Sequence, residues 1–213
     1  METTSPTHPP IPRSLFVLSI LYGGMTCIAG VLGNKQVAVG PLSVEAGIFP
    51  FLLLVVLSSA IAELFGRETA NRLVVFGFVP LLVSMLLIII VLGLPASPEM
   101  AADRLGAFQL VLAQSPRLMA AGICSYGISQ LLNVYVFSRM RRAGGMLWLR
   151  GVVASVLSQV VDTLIFISLA FYGVFPIGEL LIGQMTAKIV LSALLVPVLI
   201  MAFVALARRL DRA

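Results

Sequence analysis

The sequence contains little charge. Of its 213 residues, 11% are charged and 60% are hydrophobic, and the mean hydropathy is +1.08. Soluble domains are only about half apolar. The scarcity of charge excludes a water-soluble domain, and the composition predicts an integral membrane protein.

Cysteine and histidine are almost absent as well. The two cysteines, Cys27 and Cys124, lie in apolar segments, too few and too isolated for a disulfide framework or a zinc site. We interpret them as packing residues, since free cysteine often packs as a small hydrophobe. The only histidine, His8, lies near the N-terminus, outside the apolar runs. The sequence therefore predicts no metal site and no cofactor.

Enzyme motifs are missing too. There is no HExxH, no GxSxG and no Walker A sequence, and GVLGNK at 30–35 has too few residues between its glycines to cradle phosphates. The chain also lacks the regularly spaced arginines of a voltage sensor and the repeated filter sequence of an ion channel. These absences argue against an enzyme, and a pump driven by ATP would need its ATPase on another chain.

What the sequence does contain is six apolar stretches, each close to the roughly 20 residues that cross a bilayer as a helix. The predicted spans are 15–32, 48–65, 73–94, 117–137, 149–171 and 177–206. The fold class expected is an all-α, polytopic membrane protein, a six-transmembrane-helix bundle. Residues 14–207 form this domain, between a disordered, proline-rich N-terminal arm (1–13) and a short basic C-terminal tail (208–213).

Lysine and arginine are distributed unevenly between the two sides. Ten of the fourteen basic residues fall on the side that carries both termini; these are Arg13, Arg67, Arg72, Arg139, Arg141, Arg142, Arg150, Arg208, Arg209 and Arg212. Cytoplasmic loops are rich in such residues, so both termini are predicted to be cytoplasmic. Since the basic residues flank apolar runs and form no basic face, the net charge of +5 does not indicate a nucleic-acid partner.

Polar residues inside the spans are the candidates for function. In SQVVDTLIF (158–166), Ser158, Gln159, Asp162 and Phe166 share one helical face, given about 100° per residue. A carboxylate at mid-span costs roughly 2.5–3.5 kcal/mol even on the lenient insertion scale. These residues form a polar stripe along the helix, which is therefore expected to face the protein interior or a water-filled cavity.

The preceding span carries a similar stripe, SQLLNVYVF (129–137), with Gln130 and Asn133 in matching places. Because consecutive spans are antiparallel, the two stripes are expected to meet near mid-membrane. Amides also connect helices in ordinary bundles, at about 0.6 kcal/mol each, and that structural interpretation stays open for Gln130 and Asn133.

Asp162 has a candidate partner in Lys188. Phe175 lies in the GVFP hairpin between the last two spans, and Asp162 and Lys188 are each thirteen residues away from it. Two straight helices therefore bring them to the same depth. A static ion pair is the structural alternative, although a buried pair is weak evidence for stability. Glu63, at the end of the second span, is predicted either to face a cavity or to reach the interface near Arg67 and Arg72.

These segments carry a resemblance to a known family. SSAIAELFGRETANR (58–72), followed by SQLLNVYVFSRMRR (129–142), SQVVDTLIF and a late intramembrane lysine, resembles the queuosine precursor transporter family, also called the VUT family. The resemblance extends over roughly residues 15–207. It implies a six-span protein of the bacterial inner membrane that imports 7-cyano-7-deazaguanine and related precursors of the tRNA base queuosine.

Position by position, the resemblance marks Glu63, Gly66, Gln130, Asn133, Gln159, Asp162 and Lys188. The family pattern often has Asp where this sequence has Ser59, and in some members where it has Asn133. A deazaguanine offers two adjacent N–H donors, which one carboxylate accepts, and a carbonyl that suits lysine or an amide. Its flat ring suits stacking on Phe166, Phe137 or Tyr126. We expect Asp162 or Glu63 to accept from the donors, and Gln130, Asn133, Gln159 and Lys188 to supply the other hydrogen bonds.

The predicted partners are a small deazapurine solute and membrane lipid, and the sequence leaves open whether the chain forms a homo-oligomer. Two other classes also stay open. The chain could be the solute-binding subunit of a multi-protein vitamin importer driven by partner ATPases, which co-purification with an ATPase would reveal. It could instead be a membrane enzyme or an assembly scaffold with a structural polar core, showing neither transport nor a thermal shift with solute.

Overall fold

A computed structural model describes residues 11–39, 42–113, 116–173 and 177–212 of the chain. These residues form a helical bundle with one small sheet. Its elements are α1 (Arg13–Leu32), β1 (Gln36–Val39), β2 (Leu42–Glu45), α2 (Ile48–Phe76), α3 (Phe78–Gly93), α4 (Ala102–Leu112), α5 (Pro116–Arg142), α6 (Leu147–Phe171) and α7 (Gly178–Leu210). Residues 1–10 of the expected arm (1–13) and residues 174–176 of the expected GVFP hairpin (173–176) lie outside the described residues, and Arg13 already belongs to α1.

Helix α2 is broken at Gly66, where φ is 87° and ψ is 167°. Glycine reaches a positive φ at no steric cost because it has no Cβ. Before Gly66 the chain is parallel to α5, since Val55 and Ala62 accept hydrogen bonds from Asn133 and Arg141, respectively.

After the break the chain is antiparallel to α5. Arg67 lies over the ring of Tyr135, and the carbonyl of Val74 accepts a hydrogen bond from the Tyr126 hydroxyl. The direction of the chain therefore reverses at one residue. The gap of 66–72 between the predicted spans 48–65 and 73–94 is therefore too long, because residues 67–72 are already helical.

A second glycine, Gly77, separates α2 from α3 without reversing the chain. A methyl group there would overlap the Tyr126 hydroxyl and lie 2.7 Å from Cε1 of Tyr22. Gly77 therefore permits close packing of this segment against α1 and α5. Pro80 follows in the first turn of α3, where a missing N–H is tolerated.

Five helical stretches of the described residues are long and apolar enough to cross a membrane, and one of them, Ile48–Gly93, has 46 residues. A straight helix of that length would measure about 69 Å, more than twice the bilayer core of about 30 Å. Because the chain reverses at Gly66, this stretch supplies two crossings. The all-α, polytopic fold with six membrane segments is confirmed.

Two features, the hairpin of β1 and β2 and the helix α4, were not predicted. β1 and β2 form an antiparallel hairpin in which Gln36 is opposite Glu45. Helix α4 lies between the predicted spans 73–94 and 117–137. Both are short, and α4 has no buried residue. Neither element therefore carries the long apolar run by which membrane spans are recognised.

The bundle has two distinct ends. We call the end with the Gly66 turn, the α5–α6 connection, the start of α1 and the end of α7 the arginine end. The end with β1, β2 and α4 is the hairpin end. At the arginine end, the Ser14 hydroxyl donates to the Asp211 carboxylate at 2.6 Å, which ties the start of α1 to the end of α7.

Apolar and polar residues are arranged for a lipid environment. Large apolar side chains on α3, such as Val79, Leu82 and Leu86, are exposed on the outside. The interior instead contains buried serines, amides and a carboxylate. This arrangement gives the bundle a polar centre.

Candidate solute-binding site

Asp162 of α6 and Lys188 of α7 form an ion pair inside the bundle. Nζ of Lys188 donates to Oδ2 of Asp162 at 3.0 Å, with the side chains 12% and 6% exposed, respectively. The pairing predicted from the sequence is confirmed. The Ser129 hydroxyl of α5 donates to Oδ1 of Asp162 at 3.4 Å, so the stripes of α5 and α6 do meet, through this contact.

A cavity of about 330 Å³ extends from this ion pair toward the hairpin end. Its inner part includes Asp162, Phe166 and Lys188, and its outer part includes Asn34 and Val111, which are exposed and joined by a hydrogen bond of 2.9 Å. Most of the remaining lining is apolar and comes from α1, α3 and α5. The cavity thus joins the centre of the bundle to one end.

Aromatic rings surround the polar end of the cavity. Nζ of Lys188 lies 5.9 Å from the ring centroid of Phe51, and Phe166 meets Phe171 edge to face with centroids 6.3 Å apart. Tyr126 also lines the cavity, with its hydroxyl 2.9 Å from that of Tyr22. Phe137, the third ring expected to stack on a solute, is fully buried outside this lining.

One further acid lies in the cavity, and the sequence analysis did not identify it. Glu45, the last residue of β2, lines the cavity and accepts a hydrogen bond from the Gln184 amide at 3.4 Å. Burial raises the pKa of the Glu45 carboxyl above its usual range; the charge of Lys188 opposes this effect and that of Asp162 adds to it. The only signal in the sequence is a carboxylate directly before the second span.

The amides of α5 face α2 and lie outside the lining of this cavity. Nδ2 of Asn133 donates to the hydroxyls of Ser58 and Ser59 at 3.1 and 3.0 Å, and the Ser58 hydroxyl donates to Oε1 of Gln130 at 3.3 Å. Thus Ser59 and Asn133, the two departures from the family pattern, are in contact. We call Ser58, Ser59, Gln130 and Asn133 the amide cluster.

Several atoms of this region have no hydrogen-bond partner among the described residues. They are Nε2 of Gln130, Oδ1 of Asn133 and both amide atoms of Gln159. All three side chains are fully buried, and leaving a buried polar group unpaired costs about 1–3 kcal/mol. Ser158, by contrast, donates to the Ser155 carbonyl of its own helix at 2.9 Å.

Glu63 lies near the arginine end, away from the cavity. Its Oε2 is 3.0 Å from Nη1 of Arg150 and 3.5 Å from Nε of Arg141. Arg150, treated in the sequence analysis as a topology anchor, is only 7% exposed and lies over the Phe137 ring. The carboxylate therefore pairs with cations of α5 and α6. Of the two predicted alternatives, it does not line the cavity, and its ion pairs near the arginine end are with Arg141 and Arg150.

The predicted site residues fall into three groups along the bundle. Asp162, Phe166 and Lys188 come together in the cavity. Gln130, Asn133, Ser158 and Gln159 are buried outside its lining, and Glu63 forms ion pairs near the arginine end.

Comparison with known proteins adds independent information. Residues 45–202 match the family described as "Putative vitamin uptake transporter". The "Probable queuosine precursor transporter" of Bacillus subtilis (strain 168) is 28% identical over 163 residues, 75% of this chain and 70% of the relative. The "Queuosine precursor transporter" of Escherichia coli (strain K12) is 25% identical over 160 residues, with the same coverage of 75% and 70%. No solved structure matches the chain.

Proposed function

This chain belongs to the vitamin uptake transporter family, and we propose that it imports 7-cyano-7-deazaguanine or a related deazapurine precursor of queuosine. Membership makes the chain a transporter and not an enzyme. Together with its apolar helices, membership also identifies a multi-pass membrane protein, which in bacteria is a protein of the inner membrane. The names of the two relatives support a queuosine precursor as the solute.

The observation that carries the proposal is a cavity that ends at an intramembrane ion pair. Its volume of about 330 Å³ falls in the range of small-molecule sites, about 300–1,000 Å³, which are mostly apolar with a few convergent polar groups. A flat heterocycle with polar edges fits a cavity with an apolar lining and a polar inner end.

The ion pair and the aromatic rings at the inner end of the cavity have separate roles in this proposal. Lys188 donates to the ring carbonyl of the solute, because an ammonium group has only donors to offer. Asp162, already 3.0 Å from Lys188, holds the ammonium in place. Phe51 or Phe166 packs against the solute ring, because aromatic pairs are stabilised in offset-stacked or edge-to-face arrangements.

The buried groups outside the cavity form the next part of the proposed route. The unpaired amide atoms of Gln130, Asn133 and Gln159 form hydrogen bonds with the solute once it moves past Asp162. Ser158 lies on the same face of α6 as Gln159 and Asp162. The ion pairs of Glu63 with Arg141 and Arg150 close the arginine end while the cavity is open at the other end.

A complementation experiment tests the function. The chain is expressed in a bacterial host that lacks both deazaguanine synthesis and its own importer, 7-cyano-7-deazaguanine is supplied, and queuosine in tRNA is measured. We expect queuosine to reappear, also with Glu68→Gln, a control at an exposed carboxylate that pairs with Arg72. No queuosine despite confirmed membrane expression would refute the proposed function.

A further inference from the structure

Three carboxylates lie along the proposed route, and two of them are already engaged by cations. Glu63 has the guanidinium groups of Arg150 and Arg141 within 3.0 and 3.5 Å. Asp162 receives Nζ of Lys188 at 3.0 Å and the Ser129 hydroxyl at 3.4 Å. A neutral solute would have to compete with these ionic contacts to use either group.

Glu45 has a different environment. Among the described residues, its side chain makes one hydrogen bond, a long one of 3.4 Å from the neutral Gln184 amide. A carboxylate has two oxygens and accepts about four hydrogen bonds. Glu45 therefore retains acceptor capacity on the cavity wall that includes Asp162 and Lys188.

We propose that Glu45 is the residue that recognises the adjacent N–H and amine donors of the deazaguanine ring, and that it sets the specificity of the cavity for guanine-type rings. The inference rests on the proposed function, because it concerns the same cavity and the same class of solute. Asp162 then acts as a positioning residue for Lys188, which binds the carbonyl on the same side of the ring.

The hairpin fixes the backbone on both sides of Glu45. Glu45 is opposite Gln36 in the sheet, and the Ala46 N–H donates to the Lys35 carbonyl at 2.8 Å. The neighbours Val44 and Ala46 are buried, at 1% and 8% exposure. A carboxylate held on a fixed backbone loses less conformational entropy when a solute binds.

The charges in the cavity favour the same assignment. The charges of Asp162 and Lys188 cancel, so the ionised form of Glu45 gives the site a net negative charge. Among the described residues, the charged groups that act on Glu45 are Asp162 on α6 and Lys188 on α7, and the Gln184 amide on α7 donates to it. Burial raises the pKa of Glu45, a sign of a desolvated acceptor. Two N–H donors from a bound ring would restore hydrogen bonds of the kind lost with water.

The test compares two solutes that differ in one donor. Equilibrium binding to the purified full chain is measured for 7-cyano-7-deazaguanine and for 7-cyano-7-deazahypoxanthine, which lacks the exocyclic amine. The unaltered protein should prefer the guanine-type ring by about tenfold or more, because a charged acceptor is left unpaired by the analogue. Glu45→Gln should reduce this preference to about threefold or less, because its amide presents one acceptor only.

Two control variants separate recognition from folding. Glu45→Asp retains the carboxylate and should keep the preference with weaker binding of both rings, while Glu68→Gln should change neither value. Equal binding of the two rings by the unaltered protein, or an unchanged preference in folded Glu45→Gln, would overturn the assignment and leave the proposed function standing. If the folded, unaltered protein bound neither ring, the proposed function itself would fail.

Discussion

The two ends of the bundle use similar residues in opposite ways. Toward the hairpin end, Glu45, Asp162 and Lys188 line a cavity of about 330 Å³. Toward the arginine end, Glu63 forms ion pairs with Arg150 and Arg141, and the amide cluster between the two regions is fully buried. Under the proposed function, this difference corresponds to a transporter whose solute route is open at the hairpin end and closed at the arginine end.

The difference also shows that packing decides what a carboxylate does. These acids precede, end or interrupt an apolar run, and that position does not determine which groups pair with each of them. Two guanidinium groups close on Glu63, an ammonium neutralises Asp162, and a neutral amide leaves acceptor capacity on Glu45. The experiments below alter one of these environments at a time.

The largest loss of thermal stability and of precursor uptake is expected from Asp162→Asn. It removes the only carboxylate that contacts the ammonium of Lys188 among the described residues, and breaking a buried pair in this way costs about 3–5 kcal/mol. The double variant Asp162→Asn with Lys188→Met should recover most of the thermal stability, because both groups are then neutral, while precursor uptake stays lost. Uptake at the normal rate by the double variant would mean that the pair is only structural.

A smaller effect is expected when the closed end is loosened with Glu63→Gln. If the substitution reduces the stability of the conformation that is closed at the arginine end by about 1.4 kcal/mol, the population open at that end rises about tenfold. The measurement is the rate of thiol labelling at Ser59→Cys, a fully buried position, with Cys27 and Cys124 replaced. Labelling should accelerate about tenfold, whereas an unchanged rate would show that these ion pairs do not close the route.

Acidification should weaken precursor binding through Glu45. The ionised form accepts the two ring donors, so affinity falls as pH drops through the pKa of this group. Because burial raises that pKa, the fall should begin at a higher pH than for an ordinary glutamate, whose pKa is about 4.3. Dissociation constants across the pH range check this, and Glu45→Gln should flatten the curve; a variant with the original pH profile would exclude Glu45 as the cause.

The smallest effect is expected far from the route, at the contact between Ser14 and Asp211. Hydrogen bonds from Ser14 lower the pKa of the Asp211 carboxyl, so this contact stabilises the fold above the usual aspartate pKa and is lost as pH falls. Ser14→Ala should lower the melting temperature by less than about 3 °C at neutral pH and leave uptake unchanged. A large loss of uptake would show that the two chain ends move in transport.

The membrane segments and the central ion pair were predictable because they follow from local rules. A run of about 20 apolar residues predicts a crossing, and equal distances from a turn predict which residues of antiparallel helices meet. Asp162 and Lys188 satisfied that rule directly. The same rule could not reveal that Gln130 and Asn133 face α2, since helix rotation depends on packing among all six segments.

The role of Glu45 could not be predicted for a different reason. In the sequence it is a charged residue between two spans, which is also the pattern of an ordinary solvated loop. Only the hairpin and its packing beside α7 bring the carboxylate to Gln184. Arg150 was likewise indistinguishable from the arginines that orient the protein, until the structure placed it 3.0 Å from Glu63.

The most direct test of the account is solute protection from one side of the membrane. Ser125, which lines the cavity, and Ser59, in the amide cluster, are each changed to cysteine after Cys27 and Cys124 are replaced. An impermeant thiol reagent is then added outside intact cells. We predict that Ser125→Cys is labelled, that 7-cyano-7-deazaguanine blocks this labelling, and that Ser59→Cys stays unlabelled. Equal labelling of both positions, or labelling of Ser125→Cys that the precursor leaves unchanged, would contradict an outward-facing solute site.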